Sequence, residues 1–203
     1  MMYLSRIVLN PYHAKSYALA SDPYGIHVRL CALFGAARRD VGLLFRVEDG
    51  PVILFQSSLP PDWEKWSEPI ALLREPPRTK ELAIAAEVGD RFSFRLRCRP
   101  SKKVKREGRK NSAFVNLRSD DEKLAWLQRM GAKHGFVIES AGLTPENWMD
   151  TKAPPEERKS LGAVQFNGVL VVTDPDKLRE AVANGVGPQK AYGFGMLSLA
   201  REG

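Results

Sequence analysis

Twice in this chain a strand-like run leads into Asp-Pro and then into an apolar stripe of helical period, once at Asp22-Pro23 and again at Asp174-Pro175. An aspartate in that place caps the first free N–H groups of a helix, and proline at the first helical position loses no bond, because its N–H is missing where none is needed. Around the first start lie YLSRIVLN (3–10), a helix from Asp22 to about Ala37, then VGLLFRVE (41–48) and PVILFQSS (51–58) with Asp49-Gly50 between them. Asp-Gly between two apolar runs is a strong hairpin signal. A short helix near Trp63 and Trp66 and a closing strand complete this half. The second half restarts with RFSFRLRCR (91–99) and a basic loop. A capping box, Ser119 to Glu122, then opens a helix that runs to Gly131. A strand FVIES (136–140) follows, then a proline-rich stretch to about Lys159. AVQFNGVLVVT (163–173) reads as a strand pair or one long bent strand, and the helix opened by Asp174-Pro175 is closed by Gly185. Each half therefore reads β-α-β-β-α-β. The prediction is an α+β chain of two tandem ferredoxin-like domains, 1–88 and 89–203, parted near Gly89-Asp90. This architecture serves many activities, RNA binding among them, so the activity has to be sought in particular residues.

A chain of 203 residues that is 43% hydrophobic and 27% charged can bury a core of this size. No apolar run approaches the roughly 18 residues of a membrane span, and the N-terminus lacks the pattern of a secretory signal, so a cytoplasmic protein without a membrane partner is expected. Its two cysteines, Cys31 and Cys98, lack a CxxC partner, and its three histidines lack ligand spacing. Neither a disulfide framework nor a metal or other cofactor is expected.

Charge is unevenly placed. From Arg91 to Arg118 stand eleven Lys and Arg against one acid, Glu107, so this window carries +10 of a whole-chain +7 and the remainder is −3. Such a concentration points to a polyanion engaged at one place. The strand 91–99 alternates strictly, with Arg91, Ser93, Arg95, Arg97 and Arg99 on one face and Phe92, Phe94, Leu96 and Cys98 on the other. This arginine ladder runs into a loop bearing Lys102, Lys103, Lys105, Arg106, Arg109 and Lys110, and the two together can track a phosphate backbone. A solvated strand face and a nuclear-localisation peptide are the bland readings, and the second leaves the strand arginines unexplained. The stretch GVGPQKAYGFG brings Gly185, Gly187, Gly193 and Gly195 close to Lys190. It follows a helix instead of opening one, which removes the dinucleotide-binding reading. Backbone N–H groups presented to a phosphate remain.

On the first Asp-Pro helix, Ile26, Leu30, Leu33 and Phe34 form the apolar stripe, while Tyr24, His27 and Cys31 fall on a neighbouring line. A Tyr and a His one turn apart are common enough in helices with the rings merely packed. Beside a polyanion-binding surface without metal ligands, they point to metal-independent RNA cleavage. In that reaction the ribose 2′-OH attacks the adjacent phosphate, one group takes its proton, and another protonates the leaving 5′-oxygen. Histidine titrates in the right range, and a helix N-terminus disfavours its charged form.

The sequence resembles the CasE family of CRISPR RNA-processing endoribonucleases, subunits of the Cascade complex. The resemblance is carried by MYLSRIVLN, the Y-x-x-H of YGIHVRLCALF, FRVE, VILFQSS, RFSFRLRCRPSKK, EKLAWLQR, VQFNGVLVVTDP and GVGPQKAYGFGMLSLA. It implies tandem ferredoxin-like domains, cleavage of the CRISPR repeat hairpin to 5′-hydroxyl and 2′,3′-cyclic phosphate ends, retention of the product, and partnership with the other Cascade subunits. It places the catalytic pair on Tyr24 and His27, without settling which is acid and which is base. It assigns the RNA stem to Arg95, Arg97, Arg99 and the Lys102-Lys103 region, with Arg158 and Lys159 as further contacts. Departures from the family pattern cluster at 104–116 and 141–160. Two other readings compete: a hairpin RNA-binding module without catalysis, and a regulatory domain with a nucleotide at the glycines. The latter leaves the +10 window unexplained.

Overall fold

The computed structural model of the chain describes residues 1–48, 50–104, 113–150 and 160–202. In the first half β1 (Met2–Val8) is followed by α1 (Ala14–Ala20) and α2 (Pro23–Ala32), then β2 (Leu44–Glu48), β3 (Val52–Ser57) and β4 (Arg78–Leu82). In the second, β5 (Arg91–Cys98) is followed by the hairpin β6 (Ser101–Val104) and β7 (Ala113–Asn116), then α3 (Asp120–Lys133), β8 (Phe136–Asp150), β9 (Ser160–Val172), α4 (Pro175–Asn184) and β10 (Leu197–Arg201). The sheets are ordered β2-β3-β1-β4 and β10-β5-β9-β8, and every neighbouring pair is antiparallel. Counting strands within each half, both orders are second, third, first, fourth. That is the arrangement a β-α-β-β-α-β chain reaches when both crossovers lie over one face. Two ferredoxin-like sheets are thus present, with the β6–β7 hairpin inserted into the second unit.

Each sheet covers its own core. Ile7, Leu9, Phe45 and Phe55 pack with Ile26, Leu30 and Leu33 of the α2 stripe, while Phe94, Leu96 and Phe166 pack with Trp126, Leu127 and Leu178 of α3 and α4. Burying each such side chain is worth about 1.5–3 kcal/mol.

Several elements differ from the sequence reading. α1 was not expected; His13 caps it, its Nδ1 accepting from Lys15 N at 3.2 Å. α2 ends at Ala32 instead of near Ala37, and the chain turns at Gly35, whose φ is +59°. Between β3 and β4 there is no α-helix; the short helix expected near Trp63 and Trp66 is a single 3-10 turn, Trp63–Lys65, and a second such turn stands at Ile70–Leu72. The prolines at 60, 61, 69, 76 and 77 leave no uninterrupted stretch with the N–H groups a helix needs. α3 passes through Gly131 to Lys133; a Cβ at Gly131 would lie 2.7 Å from the Phe136 carbonyl oxygen, so that glycine serves close packing and not termination. β8 runs on past 140 to Asp150, because β9 offers it a partner along almost all of its length. β9 is a single strand. The β2–β3 hairpin forms as expected, but Glu48 pairs with Val52, so three residues connect the strands where Asp49-Gly50 alone was expected; Asp49 lies outside the described residues.

The halves meet where β2 approaches β10 and α4. Arg46 is buried there: its Nη1 donates to the Met196 carbonyl at 3.2 Å, its Nη2 to Ser198 Oγ at 3.1 Å, and its Nε to Glu48 Oε1 at 2.7 Å. Gln56 Nε2 donates to the Val182 carbonyl at 2.5 Å.

Candidate functional site

α2 is held by one face and shows another. Asp22 Oδ1 accepts from Gly25 N at 3.0 Å, Pro23 stands at the helix start, and Ile26 and Leu30 are sunk in the core. Fixing that face turns Tyr24 outward, 57% exposed, and leaves His27 half-buried one turn on, with ring centroids 6.3 Å apart and planes tilted by 46°. Cys31, a further turn along, brings its Sγ to 3.7 Å from His27 Nδ1. Neither Cys31 nor Cys98 is in a disulfide.

His27 has its pKa pushed below the usual 6.5, first by burial and then by the positive charge of Arg38. The imidazole is therefore neutral at pH 7, the form that can accept a proton. Burial raises the Cys31 thiol, opposed by the charge of Arg38 and by a hydrogen bond from the Arg38 backbone. Arg38, half-buried, donates from Nη1 to the Leu43 carbonyl at 3.2 Å.

The glycine-rich stretch forms the opposite wall. Val186 N donates to the Gly195 carbonyl at 2.8 Å and Gly195 N to the Arg97 carbonyl at 2.8 Å, which closes a loop at its base. At the tip of that loop a 3-10 turn, Lys190–Tyr192, packs against α2. Gln189 holds a left-handed φ of +62° at this tip, and its Oε1 is buried without a hydrogen bond among the described residues. The glycines have a structural reason. A Cβ on Gly185 would lie 2.9 Å from Leu44 Cδ1 and one on Gly193 3.0 Å from Phe45 Cε2, so both allow the loop to seat against β2. One on Gly195 would meet the Val186 carbonyl oxygen at 2.8 Å, and Gly187 lies against the Trp126 ring. Lys190 is pushed down by burial, then by Arg38 and Lys133; His134 is pushed down by burial, Lys133 and Lys190. Arg38, which acts on His27, thus stands in one group of cations with Lys190 and Lys133 of the second half.

The arginine ladder is only partly a ladder. Alternating exposure holds from Arg91 through Arg95, but Arg97 is 8% exposed, its guanidinium 5.7 Å from the centroid of the Phe194 ring. Arg95 donates to Glu48 Oε2 and to Asn167 Oδ1, both at 2.8 Å, Arg91 pairs with Glu139, and Arg99 bonds Asn116 at 2.5 Å. On the β6–β7 hairpin, Lys102 lies 3.4 Å from Glu122 and Lys103 stands 5.5 Å over the Phe114 ring. Lys105, Arg106, Arg109, Lys110, Arg158 and Lys159 lie outside the described residues. Among the described residues no three His, Cys, Asp or Glu side chains converge as a metal cage, and no helix is long and apolar enough to cross a membrane.

The family model for CRISPR associated proteins matches residues 2–201. The CRISPR-associated endoribonuclease Cse3 of Thermus thermophilus is 33% identical over 219 aligned residues, covering 98% of this chain and all of that protein. The CRISPR system Cascade subunit CasE of Escherichia coli is 30% identical, covering 98% of this chain and 99% of that protein. This chain belongs to the CasE/Cse3 family of CRISPR-associated proteins. A solved structure of the Cse3 endoribonuclease bound to a 19-nucleotide RNA superposes on it with a TM-score of 0.84 at 31% identity, over 98% of this chain and the whole of that one. Within this family member, sequence reasoning missed Arg38, Lys133 and His134. Arg38 stands in a loop without periodicity and Lys133-His134 at a helix end, and only the fold brings Arg38 beside His27 and Lys133-His134 beside Lys190. His134 was visible as one of three histidines and carried no spacing signal.

Proposed function

We propose that this chain is a metal-independent endoribonuclease that binds the CRISPR repeat hairpin and cleaves precursor CRISPR RNA through 2′-OH attack. Its products carry 5′-hydroxyl and 2′,3′-cyclic phosphate ends, and it stays on its product among the other Cascade subunits. The observation that carries this reading is the meeting of the Tyr24–His27 helix with the Lys190 turn, which sets proton-transfer groups and cations on one surface. His27, neutral at pH 7, takes the 2′-OH proton; the Tyr24 hydroxyl, one turn away, is placed to protonate the leaving 5′-oxygen. Lys190 faces the phosphate, and of the four glycines only Gly187 has an N–H to offer it, because those of Gly185, Gly193 and Gly195 are taken within the fold by the Ala181, Lys190 and Arg97 carbonyls. Acid–base help of this kind accelerates a reaction by roughly 10² to 10⁴, with oriented cations adding to it. Arg95, Arg99, Lys102 and Lys103 hold the RNA stem, together with Lys105, Arg106, Arg109, Lys110, Arg158 and Lys159, while Arg97, buried beside Phe194, stays out of that contact. The chain works as two domains, 1–88 and 89–203, with the acid–base pair on the first and the basic strand on the second.

A repeat hairpin with 2′-deoxyribose at the scissile nucleotide should bind like the all-ribose RNA and stay uncut, in EDTA and in Mg²⁺ alike, as read by gel shift and by cleavage on denaturing gels. Cutting of the deoxy substrate would rule out 2′-OH attack; a requirement for Mg²⁺ would rule out the metal-free route.

The direction of the His27 shift sets the pH dependence. A base must be unprotonated, and the His27 pKa lies below 6.5, so kcat/KM should be flat through neutral pH and fall only below that value, about tenfold per pH unit. A plateau that begins to fall above pH 7 on acidification would contradict this assignment.

A further inference from the structure

We propose that Arg38 is a further catalytic residue, the cation that meets the scissile phosphate and stabilises the charge gathered on it as the 2′-oxygen attacks; this rests on the ribonuclease reading above. Arg38 belongs to the loop after α2, outside the Y-x-x-H motif and outside the basic window. The structure joins it to both sides of the site. The charge of Arg38 acts on His27 and Cys31 of α2 on one side and on Lys190 on the other, and the Cys31 sulfur lies 3.7 Å from His27 Nδ1. Its guanidinium gives one donor, Nη1, to the Leu43 carbonyl, which fixes its plane and leaves the rest of the donor fork for a ligand.

The surroundings of that fork call for an anion. Its electrostatic neighbours are Arg39, His27, Cys31 and Lys190, and the field of Arg38 lowers the pKa of both His27 and Lys190. No ion pair joins Arg38 to a carboxylate among the described residues, whereas Arg29, Arg46 and Arg95 each hold a glutamate. Lys190 in turn has Lys133 as a neighbour, and Glu180 is the acid that reaches this group, acting on His134. A half-buried guanidinium among other cations is unfavourable in the free protein and is relieved by a phosphate. A dianionic phosphorane relieves it more than the monoanionic diester does, and that difference is what lowers a barrier. The planar fork can contact two non-bridging oxygens at once.

The test compares wild type with Arg38→Gln, Arg38→Lys and His27→Ala in single-turnover cleavage of the repeat hairpin across pH, with binding measured on the 2′-deoxy RNA and folding by circular dichroism. Arg38→Gln keeps a donor for Leu43 and removes the charge. It should slow cleavage about 100-fold while changing the Kd less than about threefold. It should also move the acidic limb of the rate profile to higher pH, because a charge that depresses His27 is gone. Arg38→Lys should fall between wild type and Arg38→Gln, with the limb nearer its wild-type position. Cleavage by Arg38→Gln within threefold of wild type, an unmoved limb, or a lysine variant as slow as the glutamine variant would overturn the assignment while His27→Ala stays inactive. Wild-type cleavage by His27→Ala would instead overturn the ribonuclease reading on which it rests.

Discussion

His27→Ala should reduce single-turnover cleavage of the repeat hairpin on the order of 10³-fold, while its Kd for the uncleavable 2′-deoxy hairpin stays within about threefold of wild type. The substitution is well separated from what holds the helix. Asp22 still caps it through Gly25 N, Pro23 still starts it, and Ile26, Leu30 and Leu33 remain in the core. Alanine is also the best helix former, so circular dichroism and melting should be unchanged. What disappears is the imidazole, half-buried beside Tyr24 and kept neutral by burial and by Arg38. A variant that binds and cuts at the wild-type rate would remove His27 from the mechanism. It would favour the alternative of a hairpin-binding module, with cleavage supplied elsewhere.

The second large effect is on stability. Arg46→Met should lower the unfolding free energy by about 3 kcal/mol, the low end of the cost of breaking a buried charged pair. For a chain of this size that is a fall in Tm of roughly 6–12 °C. Arg46 is 1% exposed, and burial pulls its pKa down against the support of Glu48. Its loss strips a donor from the Met196 carbonyl and another from Ser198 Oγ. Glu48 is not stranded, since Arg95 still reaches its other oxygen at 2.8 Å, and this argues for the lower figure. Thermal and urea melts of the variant decide the matter, and a melting curve like that of wild type would show that Arg46 does not join the halves energetically.

Strong local signals in the sequence survived into the fold. The two Asp-Pro starts, the Ser119 capping box and the Gly185 stop are decided by a few adjacent residues, and each stands where the sequence places it. Signals that depend on distant partners did not. The stretch 141–150 does not read as a strand, yet β9 pairs with it. Gly131 looks like a helix end until Phe136 is packed on it. The same division runs through the site. Tyr24 and His27 share a helix face and could be paired from their spacing, but Arg38 and Lys190 reach them only because β2 and the glycine loop are fitted together. Strict alternation places Arg97 with the exposed arginines; the terminal loop covers it, and Phe194 lies beneath its guanidinium.

That loop has a bearing on when the protein can act. The Tyr24–His27 helix is synthesised well before the segment that seats on Leu44 and Phe45 and carries Lys190 to α2. A nascent chain thus holds Tyr24 and His27 long before it holds the loop that packs against them. On the ribonuclease reading proposed above, a chain would gain a complete site only once synthesis has passed Gly195 and the Lys190 turn can seat on α2.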